Sequence, residues 1–467
     1  MIEFVLNQTK IKTALPSGTA VLDFIRKHQH LTGSKLVCKE GECGACSVLV
    51  GTMTDDGMKY QSMTSCIMPL INAHGTHIVT IEGLNMDELS PVQQAMVDQY
   101  GTQCGYCTPG FIVSLSGYLL NGGKPTMESI IASIDGNICR CTGYKSIERA
   151  AVDICKKLSN DMDVMTTANL IEASYIPKYF LKIEHLLKDT KPLPDETAAR
   201  RAVGGGTDLY VQRPKEMYED DIHGLYSEPE MNAIAIKDDE CVFGASCTMG
   251  DLYRSEVFNQ SVPDVDYMFK LLSSTQIRNM ATIGGNLVNA SPIGDFTIIL
   301  LALDADMILN HDGKKRTISL KDFYKNYKVT ALQENEIVEQ LKFKIPKGRS
   351  QFHFEKVSQR KYFDIASVNL ASQMQIEDGI IIDAHLAVGG VGPIPMYLHM
   401  TRDAMINKSF STDTLDAALT VLQEEISPIS DARGSADYKR LLARQLMIAQ
   451  FLAIDPGIYH KKNLLVV

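Results

Sequence analysis

The sequence predicts an α+β chain of several domains, and three observations carry that prediction. The chain has 467 residues, a length that at roughly 150 residues per domain makes about three domains. Eight of its eleven cysteines lie between Cys38 and Cys141, in two groups of four. Beyond about residue 175 the cysteine motifs stop and glycine-rich loops take over. Apolar residues make up 45% and charged residues 22%, which suits a globular protein and excludes a disordered, collagen-like or small disulfide-stapled chain. Lys and Arg number 46 against 56 Asp and Glu, a net charge of -10. That acidic balance argues against nucleic acid or an anionic membrane as partner.

No stretch approaches the roughly 20 apolar residues of a membrane helix. Met1 to Lys10 reads as a strand with no basic region ahead of an apolar one, so the expected location is the cytoplasm. In such a reducing compartment, patterned cysteines bind metal or do chemistry more often than they form disulfides.

The first element is a hairpin of residues 2–6 and 11–15 about Asn7 and Gln8. Val21, Leu22 and Ile25 then share one face of a helix within residues 19–29. Strands are expected from Cys46 to Val50, Gln61 to Cys66 and His77 to Ile81. This order suits a small β-grasp ferredoxin fold. Within it Cys38, Cys43, Cys46 and Cys66 follow the C-x4-C-x2-C…C spacing of a plant-type [2Fe–2S] site. Three thiolates from one loop must converge on two irons, so the loop must curl tightly and aim its amides at the sulfurs. Gly41, Gly44 and Ala45 are the small residues this requires.

After residue 89 the pattern turns helical. Ser90, Pro91 and Gln93 read as N-cap, first-turn proline and capping-box partner. Thr108 and Pro109 repeat the signal after Cys107 and open a helix through Phe111 to Leu120. Thr126 caps a helix ending near Gly136, and Lys145 to Lys157 forms a fourth. Cys104, Cys107, Cys139 and Cys141 therefore sit at helix ends of a four-helix unit. Four thiolates suit a second iron–sulfur cluster, with a tetrahedral zinc as the alternative. His74 and His77 read as a satisfied surface pair, Cys155 as core, and Cys241 and Cys247 as structural.

The runs 38–46 (CKEGECGAC), 103–110 (QCGYCTPG) and 136–144 (GNICRCTGY) resemble the iron–sulfur portion of the xanthine dehydrogenase-type molybdenum hydroxylases. One departure is Lys39, where that family usually has glycine. Residues 161–174 are largely polar, lack a sustained period and read as a linker. The run 202–209 (AVGGGTDL) follows; its consecutive glycines suit either an anion nest for a phosphate or a surface turn. The runs 278–286 (RNMATIGGN) and 291–295 (SPIGD) add hydroxyls, amides and a carboxylate beside small residues. Together these loops resemble the family's FAD-binding domain. The resemblance implies that Val203, Gly204, Gly205, Gly206, Thr207 and Asp208 cradle the pyrophosphate. Thr282, Gly285, Asn286, Ser291 and Asp295 would line the flavin side. Lys356, Ser358, Arg360, Asp364 and Ala366 resemble the motif that opens the family's C-terminal flavoprotein subdomain. Tyr362 and Phe363 stand where many relatives carry acidic residues. Residues 389–393 (GGVGP) form a turn-rich strand end, near the flavin or structural, and Leu441 to Leu452 reads as an amphipathic core helix.

The expected organisation is a β-grasp domain at 1–85, a helical cluster domain at 86–160, the linker, an α+β FAD-binding domain at 175–345 and an α+β subdomain at 346–467. The resemblance implies the small subunit of a split enzyme, an (αβ)2 assembly in which a separate large subunit holds molybdopterin and substrate. Electrons would run from that subunit through the helical-domain cluster, then the ferredoxin-like cluster, to FAD and on to a soluble acceptor, expected to be NAD. Gln103 and Cys139 would lie nearest the molybdopterin. The other readings are a free-standing iron–sulfur flavoprotein reductase, the electron-transfer subunit of an aldehyde or N-heterocycle hydroxylase, and a zinc-stapled assembly protein.

Overall fold

The computed structural model describes the chain except residues 123–124, 162–164, 194–200, 227, 348–349 and 459–467. It divides into two compact units, one of Met1–Tyr226 with Ser274–Ala281, the other of Ser227–Ser273 with Thr282–Val467. No helix among the described residues is long and apolar enough to cross a membrane.

The first unit opens with the hairpin Ile2–Leu6 and Thr9–Thr13, turning through Asn7 at φ 53°. The second strand starts two residues earlier than the pattern indicated. The sheet order is Thr9–Thr13, Ile2–Leu6, His77–Val79, Ser47–Thr54, Gly57–Thr64, with only the Ile2–Leu6 and His77–Val79 pair parallel. The expected helix is a single α-turn, Val21–Asp23, continued by a π-turn, Phe24–His28. It buries Val21, Leu22, Phe24 and Ile25 against the sheet. Cys46 and Cys66 lie just outside the strands, Cys66 in a 3-10 turn. Leaving the ladder frees both thiols from the strict in-and-out alternation of strand side chains.

The four expected helices are Pro91–Asp98, Thr108–Leu120, Met127–Ala132 and Lys145–Asp161. Ser90 closes its capping box with Gln93, and Thr126 closes another with Ser129. Cys107, not Thr108, takes the N-cap position of the second helix. That helix is buried all round. Phe111, Leu115 and Leu119 share a core with Leu49 and Tyr60 of the sheet. Each such side chain contributes roughly 1.5–3 kcal/mol by burial. The approach is close enough that a Cβ on Gly117 would stand 2.6 Å from Leu49.

Two expectations are corrected here. The polar stretch 161–174 contains a helix, Thr167–Glu172, whose Leu170 and Ile171 join the helical core; residues 162–164 lie outside the described residues. Two apolar side chains suffice to dock one short helix, too few to show as a period. His77 is not a surface residue but fully buried. Its Nδ1 accepts from the Tyr60 hydroxyl at 2.9 Å and its Nε2 donates to the Asn7 carbonyl at 2.9 Å. His74, half-buried, accepts from the Glu3 amide.

In the second unit an antiparallel sheet runs Lys314–Ser319, Asp306–His311, Ile337–Lys344, Glu240–Gly244, Ile234–Lys237. A further antiparallel sheet is built from Ser350–Val357, Val368–Glu377 and Ile380–Gly389, edged by Met396–Tyr397 and Lys408–Ser409. The helices Thr412–Glu425 and Ala436–Ile454 share a core with it, so Leu441 to Leu452 lies within a packed helix. The apolar helix Asp295–Ala302 is buried from Phe296 onward. Cys241 and Cys247 are buried in this unit and Cys155 in the first.

Candidate iron–sulfur and flavin sites

The loop before Ser47 brings Cys38, Cys43 and Cys46 to Cys66. Gly41 and Gly44 turn it with φ of 75° and 65°. Lys39 adopts φ 62°, a conformation that costs a side-chain-bearing residue and suits glycine. The four thiols form one connected set: Cys38 reaches Cys43 and Cys66, and Cys46 reaches Cys66. Those contacts, with the Glu40 and Cys43 amides, hold Cys38 far below the ordinary thiol range despite burial. The Glu40 amide donates to Cys38 Sγ at 3.4 Å. Cys43 and Cys66 are correspondingly pushed up, because they keep their protons to donate to those neighbours, and then by burial.

The second set gathers as two pairs. Cys141 lies 3.6 Å from Cys104 Sγ to Sγ, and Cys107 meets Cys139. Burial and then Cys139 push the Cys107 thiol up to about 12. Burial also raises Cys139, but the Thr142 hydroxyl at 3.1 Å, the Thr142 and Cys141 amides and the Cys107 thiol outweigh it. Cys107 stands at the N-terminus of the Thr108–Leu120 helix, where the dipole favours a thiolate. Four thiols drawn together in each set are the all-thiolate donors that a [2Fe–2S] cluster takes.

The two cysteine loops touch. The Ile138 amide donates to the Cys43 carbonyl at 2.9 Å, and Asn137 Nδ2 donates to the Gly44 carbonyl at 3.2 Å. Cys104 and Cys141 are exposed, as are their sequence neighbours Tyr100, Tyr106, Ile138 and Tyr144; Gln103 is exposed too, whereas Cys139 is buried.

The glycine run lies in the first unit. Arg201–Val203 pairs in parallel with Ile222–Gly224 and leads through Gly206, at φ 79°, into the helix Thr207–Gln212. Val203, Gly205 and Gly206 are buried, and a Cβ on Gly205 would meet the Met280 carbonyl at 2.0 Å. The run is therefore a packed strand–turn–helix corner, not a loose surface turn, and Gly205 has a packing reason as well. Thr207 and Asp208 are half-buried at the start of the helix.

The second loop lies in the second unit. Thr282 caps the helix Ile283–Val288 by accepting from the Gly285 amide at 3.3 Å. Gly285 is exposed, and Asn286 and Ser291 are half-buried. Asp295 accepts from Lys356 Nζ at 2.8 Å and from Asn369. Lys356 Nζ also donates to the carbonyls of Leu271 and Asp364. Burial pushes the Asp295 carboxyl up against the pull of Lys356. Asn369 Oδ1 is buried without a hydrogen-bond partner among the described residues, beside Gly389, whose Cβ would fall 2.2 Å from it. The 389–393 turn is tied to this loop by the Gly390 amide, which donates to the Pro292 carbonyl. Hydroxyls, amides, exposed glycine backbone and a carboxylate suit a ribityl chain and a flavin edge. The Lys356 and Asn369 contacts to Asp295 gave no local signal, because their partners lie more than sixty residues apart.

Residues 4–70 match the family of 2Fe-2S iron-sulfur cluster binding domains, and 80–152 match a [2Fe-2S] binding domain family. Residues 175–347 match the FAD binding domain in molybdopterin dehydrogenase, and 353–454 the CO dehydrogenase flavoprotein C-terminal domain. Two [2Fe-2S] binding domains followed by an FAD-binding domain and a flavoprotein C-terminal domain are the modules of an iron–sulfur flavoprotein. Over nearly its whole length the chain is similar to xanthine dehydrogenases. It is 28% identical to xanthine dehydrogenase 1 of Arabidopsis thaliana over 98% of this chain and 40% of that one. It is 26% identical to xanthine dehydrogenase/oxidase of Rattus norvegicus over 97% and 39%. The chain thus spans about 40% of the length of these relatives. Carbon monoxide dehydrogenase from Hydrogenophaga pseudoflava shares the fold, with TM-score 0.51 and 24% identity, covering 54% of this chain and 90% of that one. Quinoline 2-oxidoreductase from Pseudomonas putida 86 does likewise, with TM-score 0.50, 23% identity and coverage of 56% and 90%.

Proposed function

We propose that this chain is the electron-transfer part of a xanthine dehydrogenase-type oxidoreductase and works in the cytoplasm with a separate molybdopterin-binding subunit in an (αβ)2 assembly. The carrying observation is the gathering of eight thiols into two sets of four, in loops that touch each other. Cys104, Cys107, Cys139 and Cys141 hold one cluster, and Cys38, Cys43, Cys46 and Cys66 hold the other. Val203 to Asp208 seat the FAD pyrophosphate, and Thr282, Gly285, Asn286, Ser291 and Asp295 line the flavin. Clusters carry one electron at a time and a flavin two, so the chain turns single-electron traffic into two-electron release.

The exposed Tyr100, Tyr106, Ile138 and Tyr144, close in sequence to Cys104 and Cys141, support entry of electrons there from the molybdopterin subunit, with Gln103 and Cys139 nearest its molybdopterin. Exposed aromatics of this kind favour a protein contact. NAD is the proposed acceptor. A different acceptor is favoured by one observation: the exposed tip that carries Tyr362 holds Lys361 over its ring at 5.1 Å, where NAD-using relatives are acidic.

The test is to express the chain alone and with its partner. Alone it should bind iron, sulfide and FAD and pass electrons to a dye, yet turn over no purine. Purine turnover without a partner would end the split-enzyme reading, and a colourless zinc protein would end the cluster reading.

A further inference from the structure

Ser274–Ala281 is far in sequence from the cysteines, yet it belongs to the first unit. Gln276 is fully buried there. Its Nε2 donates to Asn137 Oδ1 at 2.9 Å and to Ser114 Oγ at 3.0 Å. The Ser114 hydroxyl donates to the same Asn137 oxygen at 2.8 Å. Asn137 in turn donates to the Gly44 carbonyl at 3.2 Å, in the loop of the first cysteine set. Its neighbour Ile138 gives its amide to the Cys43 carbonyl, and the next residue is Cys139. A bonded path between the two sets therefore crosses a single hydrogen bond, and Asn137 stands beside it.

The packing leaves this junction little room. A Cβ on Gly136 would fall 1.8 Å from Gln276 Oε1, and one on Gly110 would fall 2.3 Å from the Gly44 carbonyl. Ser114, Asn137 and Gln276 are all buried, so water cannot substitute for their contacts. A second anchor holds the same segment: Thr275 and Arg278 both bond to Asp135, two residues before Asn137.

We propose that Gln276 and Asn137 are positioning residues for electron transfer between the two clusters. Gln276 fixes the Asn137 amide, and Asn137 fixes the loop carrying Cys43 against the loop carrying Cys139. The proposal rests on the two-cluster reading above. It adds that a side chain from outside both cluster domains sets their spacing. No chemistry at Gln276 is involved; each transfer oxidises one cluster and reduces the other by one electron.

The experiment uses the full chain with both clusters reduced. The magnetic interaction between the two reduced clusters depends steeply on their separation and shows as splitting of the electron paramagnetic resonance signals. Iron and sulfide content is measured in parallel. Gln276→Met keeps the length of the side chain and removes its hydrogen bonds. It should retain the iron of the wild-type protein, change the splitting and slow transfer between clusters several-fold. Gly136→Ala should act in the same direction by displacing Gln276. Unchanged splitting and transfer rate in both iron-replete variants would overturn the proposal. If Gln276→Met fails to load iron, Ser114→Ala, which removes one hydroxyl of the same network, decides by the same readout. Wild-type protein lacking one cluster would instead refute the two-cluster reading itself.

Discussion

Arg278 and Asp135 form an ion pair at 3.1 Å with side chains only 10% and 7% exposed, and breaking it should be costly in a pH-dependent way. Asp135 also accepts from the Thr275 amide at 2.8 Å and its hydroxyl at 2.9 Å. Burial already raises its carboxyl above the ordinary 3.8, and the Arg278 charge is the main force opposing that rise. Arg278→Met leaves a buried carboxylate without its cation, a change worth about 3–5 kcal/mol. A ceiling comes from protonation: carrying a proton at pH 7 on a carboxyl whose ordinary value is 3.8 costs about 4 kcal/mol. The two figures agree, so the variant should lose about 3–4 kcal/mol at pH 7.

The sign with pH follows. In the variant the folded state holds a proton that the unfolded chain releases above pH 3.8, so the loss shrinks as pH falls, by roughly 1.4 kcal/mol per unit. Adding Asp135→Asn should restore most of the loss, because an amide can still serve Thr275 without a charge. Denaturant unfolding at pH 7 and 5.5, followed by cluster absorbance, gives all three numbers. An equal loss at both pH values, or a double variant no better than the single, would refute the argument.

Three further outcomes are expected. His77 is held down to about 4 by burial, against the pull of the Asn7 carbonyl. Its folded value lies below the ordinary 6.5, so its contribution is present above pH 6.5 and lost as pH falls through 4, roughly 3 kcal/mol in all; His77→Phe should flatten the stability profile in that window. Lys39→Gly relieves a positive φ and should raise the melting temperature by roughly 2–4 °C, read by calorimetry. Cys107→Ser should erase one cluster's paramagnetic signal and spare the other; loss of both would mean that the two loops assemble only together.

Local chemistry made much of this molecule legible. Cysteine spacing located both thiol sets, and Ser90 with Gln93 and Thr126 marked helix starts through hydrogen bonds within one turn. Contacts across long stretches of sequence left no such trace. His77 looked exposed because its burial comes from Tyr60, Tyr179 and Phe180, ring neighbours supplied by other elements. The Thr167–Glu172 helix was hidden in a polar stretch because only Leu170 and Ile171 face the core. Gln276 carried no signal either, since its role depends on Ser114 and Asn137, more than a hundred residues earlier.

The return of Ser274–Ala281 to the first unit has a consequence for biosynthesis. A ribosome that has emitted Tyr226 has not yet made the residues that close the junction between the cysteine loops. The missing 55 residues take roughly 3–11 s to translate at ordinary elongation rates. During that interval the nascent chain exposes the seats of Gln276 and Arg278, a cradle that later synthesis latches shut.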